Sequence, residues 1–150
     1  MIALVQRVAE ARVDVAGETV GAIGPGLLIL LGVHVADAER EADWLVRKCA
    51  QLRIFNDEAG KMNRSVLDAG GEALVVSQFT LYGDAEKGNR PSFVHSAPPE
   101  QADRLYRYFV DRLGEVLARP VPTGIFGASM QVHLVNDGPV TLWLERKAPA

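Results

Sequence analysis

Two short runs of apolar residues constrain the fold more than any other feature of this chain. Leu27–Val33 and Ala73–Leu81 are predicted to be strands, and the first is apolar at odd and even positions alike. A strand of that kind has to be covered on both faces of its sheet. Only two long helical patterns are present, too few to cover both faces of a large sheet, so a second sheet or a subunit interface must cover the rest. The sequence therefore predicts an α/β fold with layers of sheet, sheet and helix.

The two main helices are predicted at residues 38–52 and 99–118. Asp37 is a plausible N-cap for the first helix, and Pro98 and Pro99 suit the first turn of the second. Both patterns carry an apolar stripe at helical spacing, formed by Trp44, Leu45, Cys49 and Leu52 in the first and by Leu105, Phe109, Leu113, Val116 and Leu117 in the second. Further strands are predicted at residues 2–16, 20–23, 53–55, 123–126, 129–136 and 139–145, with an extended segment at 65–67.

Length and composition exclude several classes of protein. A chain of 150 residues, 48% hydrophobic and 23% charged, is typical of one soluble domain spanning residues 1–150. A net charge of −3 gives no basic footprint for wrapping along DNA or RNA, although contact with one end of an RNA needs only a few local cations. The single Cys49 cannot form an internal disulfide, which fits a reducing cytosol, and no segment has the length or apolarity of a membrane span or a signal peptide. We therefore expect a cytoplasmic protein with neither a membrane nor a DNA partner.

Polar side chains gather where the second apolar strand ends. Ser77, Gln78 and Thr80 follow a run of apolar residues of the kind that is usually buried. Burial of an amide or a hydroxyl costs free energy unless the group is hydrogen-bonded. One interpretation is a strand that emerges into solvent, where threonine is favoured by its β propensity. The other is a functional site, because sites are commonly built at strand ends and in the loops beyond them. The pattern alone leaves both open.

A second motif, Asn136–Thr141, contains the pair Gly138-Pro139. By itself a Gly-Pro pair most often marks a tight turn, here a hairpin corner before the last strand. The longest predicted loop, residues 83–96, contains Ser92, His95 and Ser96, which are interpreted as ordinary loop residues, and the basic run 87–90, which is either a solvated loop or a phosphate contact.

Other kinds of site find no support in the sequence. The three histidines lie in unrelated segments without metal-ligand spacing. There is no glycine-rich phosphate loop between a strand and a helix, and no nucleophile-elbow pattern. We therefore expect no metal and no cofactor.

Five segments, taken in order, resemble the D-aminoacyl-tRNA deacylase family. They are Gln6-Arg7-Val8, Ser77–Tyr82, Lys87–Phe93, Gly124–Met130 and Asn136–Thr141. Each segment is weak evidence alone, but the ordered set covers nearly the whole chain. The resemblance implies a homodimer of three-layer β/β/α subunits with mixed, barrel-like sheets and an active site at the subunit interface.

The resemblance also implies the reaction, which is hydrolysis, without a metal, of the ester that joins a D-amino acid or glycine to the terminal adenosine of tRNA. It points to Ser77, Gln78, Phe79 and Thr80 as the catalytic residues. We expect the Phe79 N–H and the Gln78 side chain to stabilise the oxyanion. Water is expected to attack with help from the 2′-hydroxyl of the substrate, while Thr80 acts in positioning, because the sequence identifies no base to activate it.

The remaining implied residues concern substrate binding. In this family the Gly138-Pro139 peptide would be cis and reach into the active site of the partner subunit, where it excludes L side chains. Arg7 is expected to brace that segment. Phe126 and Met130 are expected to shape the pocket for the adenine of the acceptor end.

Three alternatives of other classes remain. The polar strand end could dock adenosine without catalysis, which would make the protein an RNA-end binding module. A small-ester hydrolase using Thr80 or Ser77 would cleave free D-amino-acid esters as well. A purely structural homodimer would tolerate replacement of Gln78 and Thr80.

Overall fold

The computed structural model describes residues 1–150 and contains seven strands and three α-helices. The strands are β1 (Ile2–Val15), β2 (Glu18–Ile23), β3 (Gly26–Gly32), β4 (Phe55–Asn56), β5 (Met62–Arg64), β6 (Glu72–Ser77) and β7 (Gln131–Glu145). The helices are α1 (Glu39–Gln51), α2 (Val66–Ala69) and α3 (Pro99–Leu117), and a short 3-10 turn spans Phe79–Tyr82. The predicted α/β class and its two main helices are confirmed.

The long strand β1 organises the main sheet. Its first half pairs with β3 and its second half with β2, while β7 runs along its other edge, all antiparallel. Strand β6 extends the sheet beyond β3 and lies parallel to it. The five strands form one mixed, curled sheet, and β4 and β5 form a separate two-stranded sheet.

Apolar side chains cover both faces of β3, as its sequence predicts. Leu27, Ile29 and Leu31 point into a cluster of 23 buried residues between the sheet and the long helices, which includes Phe109. Leu28 belongs to a smaller cluster of seven on the opposite face of the sheet. Burial of each such side chain contributes about 1.5–3 kcal/mol, so the two clusters fix β3 and β6 as the rigid centre of the molecule.

The strand predicted at 73–81 is too long. Strand β6 ends at Ser77, and the chain then folds into the 3-10 turn. The Gln78 N–H donates to Leu31 O at 2.8 Å, and from Leu81 onward the N–H groups bond back within the turn. The turn packs closely on β3 because residue 32 is glycine, where a Cβ would lie 3.1 Å from that of Leu81.

The start of α1 is also different from the prediction. Ala38, not Asp37, is the N-cap, and its N–H donates to the carboxylate of Glu41 at 2.7 Å. Asp37 is buried and accepts hydrogen bonds from the N–H of His34 and the amino group of Met1. Asp37 therefore joins the segment after β3 to the N-terminus of the chain instead of capping the helix.

Two smaller predictions are wrong as well. Residues 65–67 are not extended, because Ser65 caps the short helix α2 by accepting the N–H of Asp68 at 3.1 Å. Residues 123–126 do not form a strand, and only Thr123 makes an isolated bridge, to Val75. The strand expected at 53–55 lies at Phe55–Asn56.

Strand β7 is continuous through the motif that was expected to turn. Gln6 pairs with Thr141 and Val8 pairs with Asn136, so residues 137–140 bulge out opposite a single residue of β1. The hairpin-corner interpretation is therefore wrong. The Gly138-Pro139 peptide bond is cis, the isomer that the family resemblance implies.

No helix in the structure is both long enough and apolar enough to cross a membrane.

Candidate functional site

A cavity of about 670 Å³ opens where β6 ends. Ser77, Gln78 and Phe79 line it, together with the segment around Phe93 and the beginning of α3. No Asp, Glu, His, Lys or Arg lines the cavity. The groups available there for chemistry are therefore hydroxyls, one side-chain amide and backbone atoms.

The 3-10 turn presents its unused backbone donors beside this cavity. Leu81 is the first residue of the turn whose N–H bonds back within it, to Gln78 O at 3.3 Å. The N–H groups of Phe79 and Thr80, which begin the turn, have no acceptor within it. Half of the Phe79 residue surface is exposed, so a ligand can approach this end of the turn.

The side chains of Gln78 and Thr80 contact each other. The Gln78 amide donates to the Thr80 hydroxyl, and the structure contains no other hydrogen bond to that hydroxyl. An amide N–H is a donor and cannot remove a proton, so Thr80 has no base among its partners. Thr80 is exposed and does not line the cavity, unlike Ser77 and Gln78.

Two lining residues were missed by sequence reasoning. The Ser96 hydroxyl donates to Phe79 O at 3.1 Å, and the ring of Phe93 lies edge-on to that of Phe79 with 5.0 Å between centroids. Phe93 belongs to one of the five matched segments, which was a usable signal. For Ser96 no signal existed beyond its place just before α3, and the sequence offered no reason to separate it from the other residues of its loop.

Phe126 and Met130 form another part of the cavity wall. The Phe126 ring packs near the Tyr106 ring at 6.1 Å, and burial raises the pKa of Tyr106, which stays protonated. Met130 depends on the glycine at position 124, because a Cβ there would lie 2.5 Å from the Met130 sulfur. The structure thus brings both residues to the same cavity as Ser77 and Gln78.

Arg7, Gly138 and Pro139 lie elsewhere and do not line the cavity. The largely buried guanidinium of Arg7 donates to Ile54 O at 2.7 Å and to Asp137 O at 3.3 Å. A Cβ on Gly138, whose φ is +116°, would lie 2.8 Å from a guanidinium nitrogen of Arg7. Arg7 thus contacts the base of the bulge, while residues 137–139 remain exposed at its tip.

The side chain of Asn136 makes hydrogen bonds across the base of the same bulge. Its amide donates to Arg7 O at 3.1 Å and to Val140 O at 3.0 Å. The candidate residues of one chain therefore form two separate groups, the cavity and the bulge. The structure contains no group of three or more His, Cys, Asp or Glu side chains arranged for a metal ion.

Comparisons of the sequence with known proteins point to one family. The sequence model of the family described as D-Tyr-tRNA(Tyr) deacylase matches residues 4–145. A D-aminoacyl-tRNA deacylase of Salinibacter ruber is 62% identical over 148 residues, covering 99% of both chains. One of Chromobacterium violaceum is 56% identical over 149 residues, again covering 99% of both.

Solved structures resemble this one over nearly its whole length. The c-Myc DNA Unwinding Element Binding Protein has a TM-score of 0.93 and 48% sequence identity, covering 99% of this chain and 100% of its own. A probable eukaryotic D-amino acid tRNA deacylase has a TM-score of 0.82 and covers 95% of this chain and 97% of its own. At 16% identity, that second likeness shows the fold alone.

Proposed function

This chain belongs to the D-Tyr-tRNA(Tyr) deacylase family and is a D-aminoacyl-tRNA deacylase, a hydrolase, and from that premise we propose how it works. Residues 1–150 act as one domain that binds the acceptor end of tRNA in the cytoplasm. The enzyme cleaves the ester of a D-amino acid or of glycine, releases free tRNA, and leaves L-aminoacyl-tRNA intact. It thereby removes wrongly charged tRNA before translation. The observation that carries this proposal is the cavity beside the free N–H groups of the 3-10 turn.

The ester carbonyl is attacked by water and not by Thr80. An aminoacyl ester is already an activated acyl donor, and a hydroxyl nucleophile needs a base to activate it. The only hydrogen-bond partner of the Thr80 hydroxyl is the Gln78 amide, which donates. The substrate's own ribose 2′-hydroxyl assists the water, while Thr80 and Ser77 position the reacting groups.

Backbone groups stabilise the negative charge that develops on the carbonyl oxygen. The Phe79 N–H is unused within the turn and lies at the cavity wall, and one well-placed oxyanion donor is worth roughly 2.7–4 kcal/mol. The Gln78 amide is a second donor, provided that it leaves the Thr80 hydroxyl when substrate binds. Both donors are uncharged, so stabilisation of the oxyanion in this mechanism needs no ionised side chain.

The acceptor end binds with its adenine against Phe126 and Met130. The cavity wall there is aromatic and apolar, and the thioether of methionine makes favourable contacts with aromatic rings. This part of the cavity carries no charge, which suits a neutral base better than a phosphate.

Rejection of L substrates comes from the Gly138-Pro139 bulge of a partner subunit. The bulge is exposed and lies outside the cavity of its own chain, so it can act on a substrate only in another copy. Its carbonyl oxygens accept hydrogen bonds from the substrate's α-amino group and leave no volume for an L side chain, and exclusion by a clash gives strong selectivity. Arg7 holds the bulge in place.

A homodimer is the assembly that this arrangement requires. Strand β7 is fifteen residues long and pairs only with β1, which leaves its other edge open. It also exposes about half of Val135 and of Trp143. Natural proteins rarely leave such an edge uncovered, and a two-fold pairing would create two equivalent shared sites.

The test is deacylation of D-tyrosyl-tRNA, L-tyrosyl-tRNA and glycyl-tRNA side by side with EDTA present. We expect loss of the D ester at a rate more than about a hundredfold above that of the L ester, measurable cleavage of the glycyl ester, and no effect of EDTA. Binding of tRNA without turnover would favour the RNA-end binding module. Equally fast cleavage of the ethyl ester of D-tyrosine would favour a small-ester hydrolase using Thr80 or Ser77.

A further inference from the structure

The hydroxyl of Ser96 makes a hydrogen bond to the backbone of the 3-10 turn, at one of the peptide groups that begin the turn beside the cavity. It donates to Phe79 O at 3.1 Å. That oxygen belongs to the same peptide group as the Thr80 N–H. A trans peptide group is planar, and its C=O and N–H point in opposite directions. Fixing the direction of the Phe79 carbonyl therefore fixes the direction of the Thr80 N–H.

The segment that carries Ser96 is itself held on both sides. Ala97 N–H donates to Val33 O at 2.9 Å, and Val35 N–H donates to His95 O at 3.0 Å. These bonds join residues 95–97 to residues 33–35, which directly follow β3, the strand buried on both faces. The hydrogen bond from Ser96 to Phe79 O therefore connects the turn to the rigid sheet.

Within the turn, the Phe79 carbonyl also accepts the i+3 bond of the 3-10 turn, from the Tyr82 N–H, and the Ser96 hydroxyl is the one group outside the turn that donates to it. Gln78 N–H is anchored to Leu31 O at 2.8 Å, but the side chain of Phe79 is half exposed. The edge-to-face contact with Phe93 restrains the Phe79 ring and not the plane of the peptide group. The hydroxyl bond also polarises the Phe79–Thr80 peptide group, which makes its N–H a stronger donor.

We propose that Ser96 is a positioning residue for the deacylation reaction, which aims the Thr80 N–H at the oxyanion as a donor beside the Phe79 N–H. This inference rests on the proposed function. Ser96 acts through the backbone and does not itself take part in proton transfer. Because an oxyanion donor acts mainly in the transition state, loss of the Ser96 hydroxyl should lower kcat and leave KM almost unchanged.

The experiment compares Ser96→Ala, Ser96→Thr and Ser92→Ala by kinetics on D-tyrosyl-tRNA and by ¹⁵N relaxation of the Thr80 amide. Ser96→Ala should reduce kcat about tenfold, the upper range for loss of one neutral hydrogen bond. It should also lower the Thr80 order parameter from the rigid value of about 0.85. Ser96→Thr keeps the hydroxyl and should restore both. Ser92→Ala is the matched control, because the Ser92 hydroxyl makes no hydrogen bond while its backbone pairs with Asp84, and it should change neither.

Each other outcome contradicts the inference. A higher KM at constant kcat would mean that Ser96 binds substrate directly. A lower kcat without a change at Thr80 would mean that it acts by another route, and an unchanged kcat would mean that the turn is rigid enough without it. If the wild-type protein shows no turnover, the proposed function fails, and with it the catalytic role of Ser96. The order parameters would still show whether Ser96 holds the peptide group.

Discussion

The absence of a side chain at position 124 gives Met130 its place in the cavity wall. In a Gly124→Ala variant the new Cβ would lie 2.5 Å from the Met130 sulfur, so the thioether has to move. Methionine is flexible, and the fold should lose about 1 kcal/mol or less. The proposed contact of Met130 with the adenine should weaken, which raises KM for D-tyrosyl-tRNA by roughly five- to tenfold at nearly constant kcat. Steady-state kinetics and a thermal melt check both expectations.

Gly24→Ala is the matched control for that substitution. A Cβ at residue 24 would meet only a carboxylate oxygen of Glu72, at an ordinary 3.7 Å, so neither KM nor stability should change. If Gly124→Ala leaves KM unaltered, Met130 does not contact the substrate. If it unfolds the protein instead, Gly124 serves the fold and not the site.

The beginning of helix α1 depends on the carboxylate of Glu41. That side chain is buried and accepts the Ala38 N–H at 2.7 Å, and the exposed guanidinium of Arg40 donates to it at 2.9 Å. Glu41→Ala leaves the Ala38 N–H without its acceptor and should lower the free energy of unfolding by about 1–2 kcal/mol. Urea denaturation measures this change, and Glu58→Ala in an exposed turn should have no effect.

Glu41 also predicts how stability depends on pH. Burial raises its pKa, but the hydrogen bonds from Ala38 and Arg40 outweigh that effect, so the pKa lies below its usual value of 4.5. A group with a lowered folded pKa stabilises the protein fully above its unfolded pKa and loses that contribution as the pH falls through the folded value. The stability difference between wild type and Glu41→Gln should therefore be constant near pH 7 and shrink below about pH 4.5. A difference that does not vary with pH would show that the charge is irrelevant.

The helices and the buried strands could be predicted because their apolar residues repeat at a regular spacing. The same regular spacing is the reason why the predicted end of β6, at Leu81, lies too far along the chain. Phe79 and Leu81 continue the alternation of a strand, yet Gly32 on β3 leaves room for the chain to turn there. That room depends on which residues of two distant segments face each other, and a single sequence does not contain this information.

The site was predictable to a similar degree. Residues of the Ser77–Thr80 motif, Phe126 and Met130 were identified from short motifs, and all but Thr80 line one cavity. Ser96 was not identified, because the role we propose for it depends on a hydrogen bond to a carbonyl seventeen residues away. The Gly138-Pro139 bulge was mistaken for a turn on local grounds, since a bulge is defined only by its pairing partner on β1.

Because the cavity and the bulge lie apart in one chain, the whole enzyme should be a shared assembly in which each subunit completes the site of the other. Two variants that should lose turnover can test this. Gln78→Ala damages the cavity, and Gly138→Ala forces a Cβ against Arg7 and so displaces the bulge whose carbonyl oxygens are proposed to bind the α-amino group of the substrate. A heterodimer of the two, purified through two different C-terminal tags, contains one site with both parts intact. It should recover roughly half of the wild-type turnover per dimer.

The matched control is a heterodimer of wild type with a chain that carries both substitutions. If the sites are shared, each of its two sites has one damaged part, so this heterodimer should be inactive. If instead each chain uses its own bulge, the outcomes reverse: the control keeps roughly half of the turnover and the first heterodimer has none. Failure to isolate any heterodimer would contradict the dimer itself, because an isologous pairing through β7 would join the variant chains as readily as identical ones.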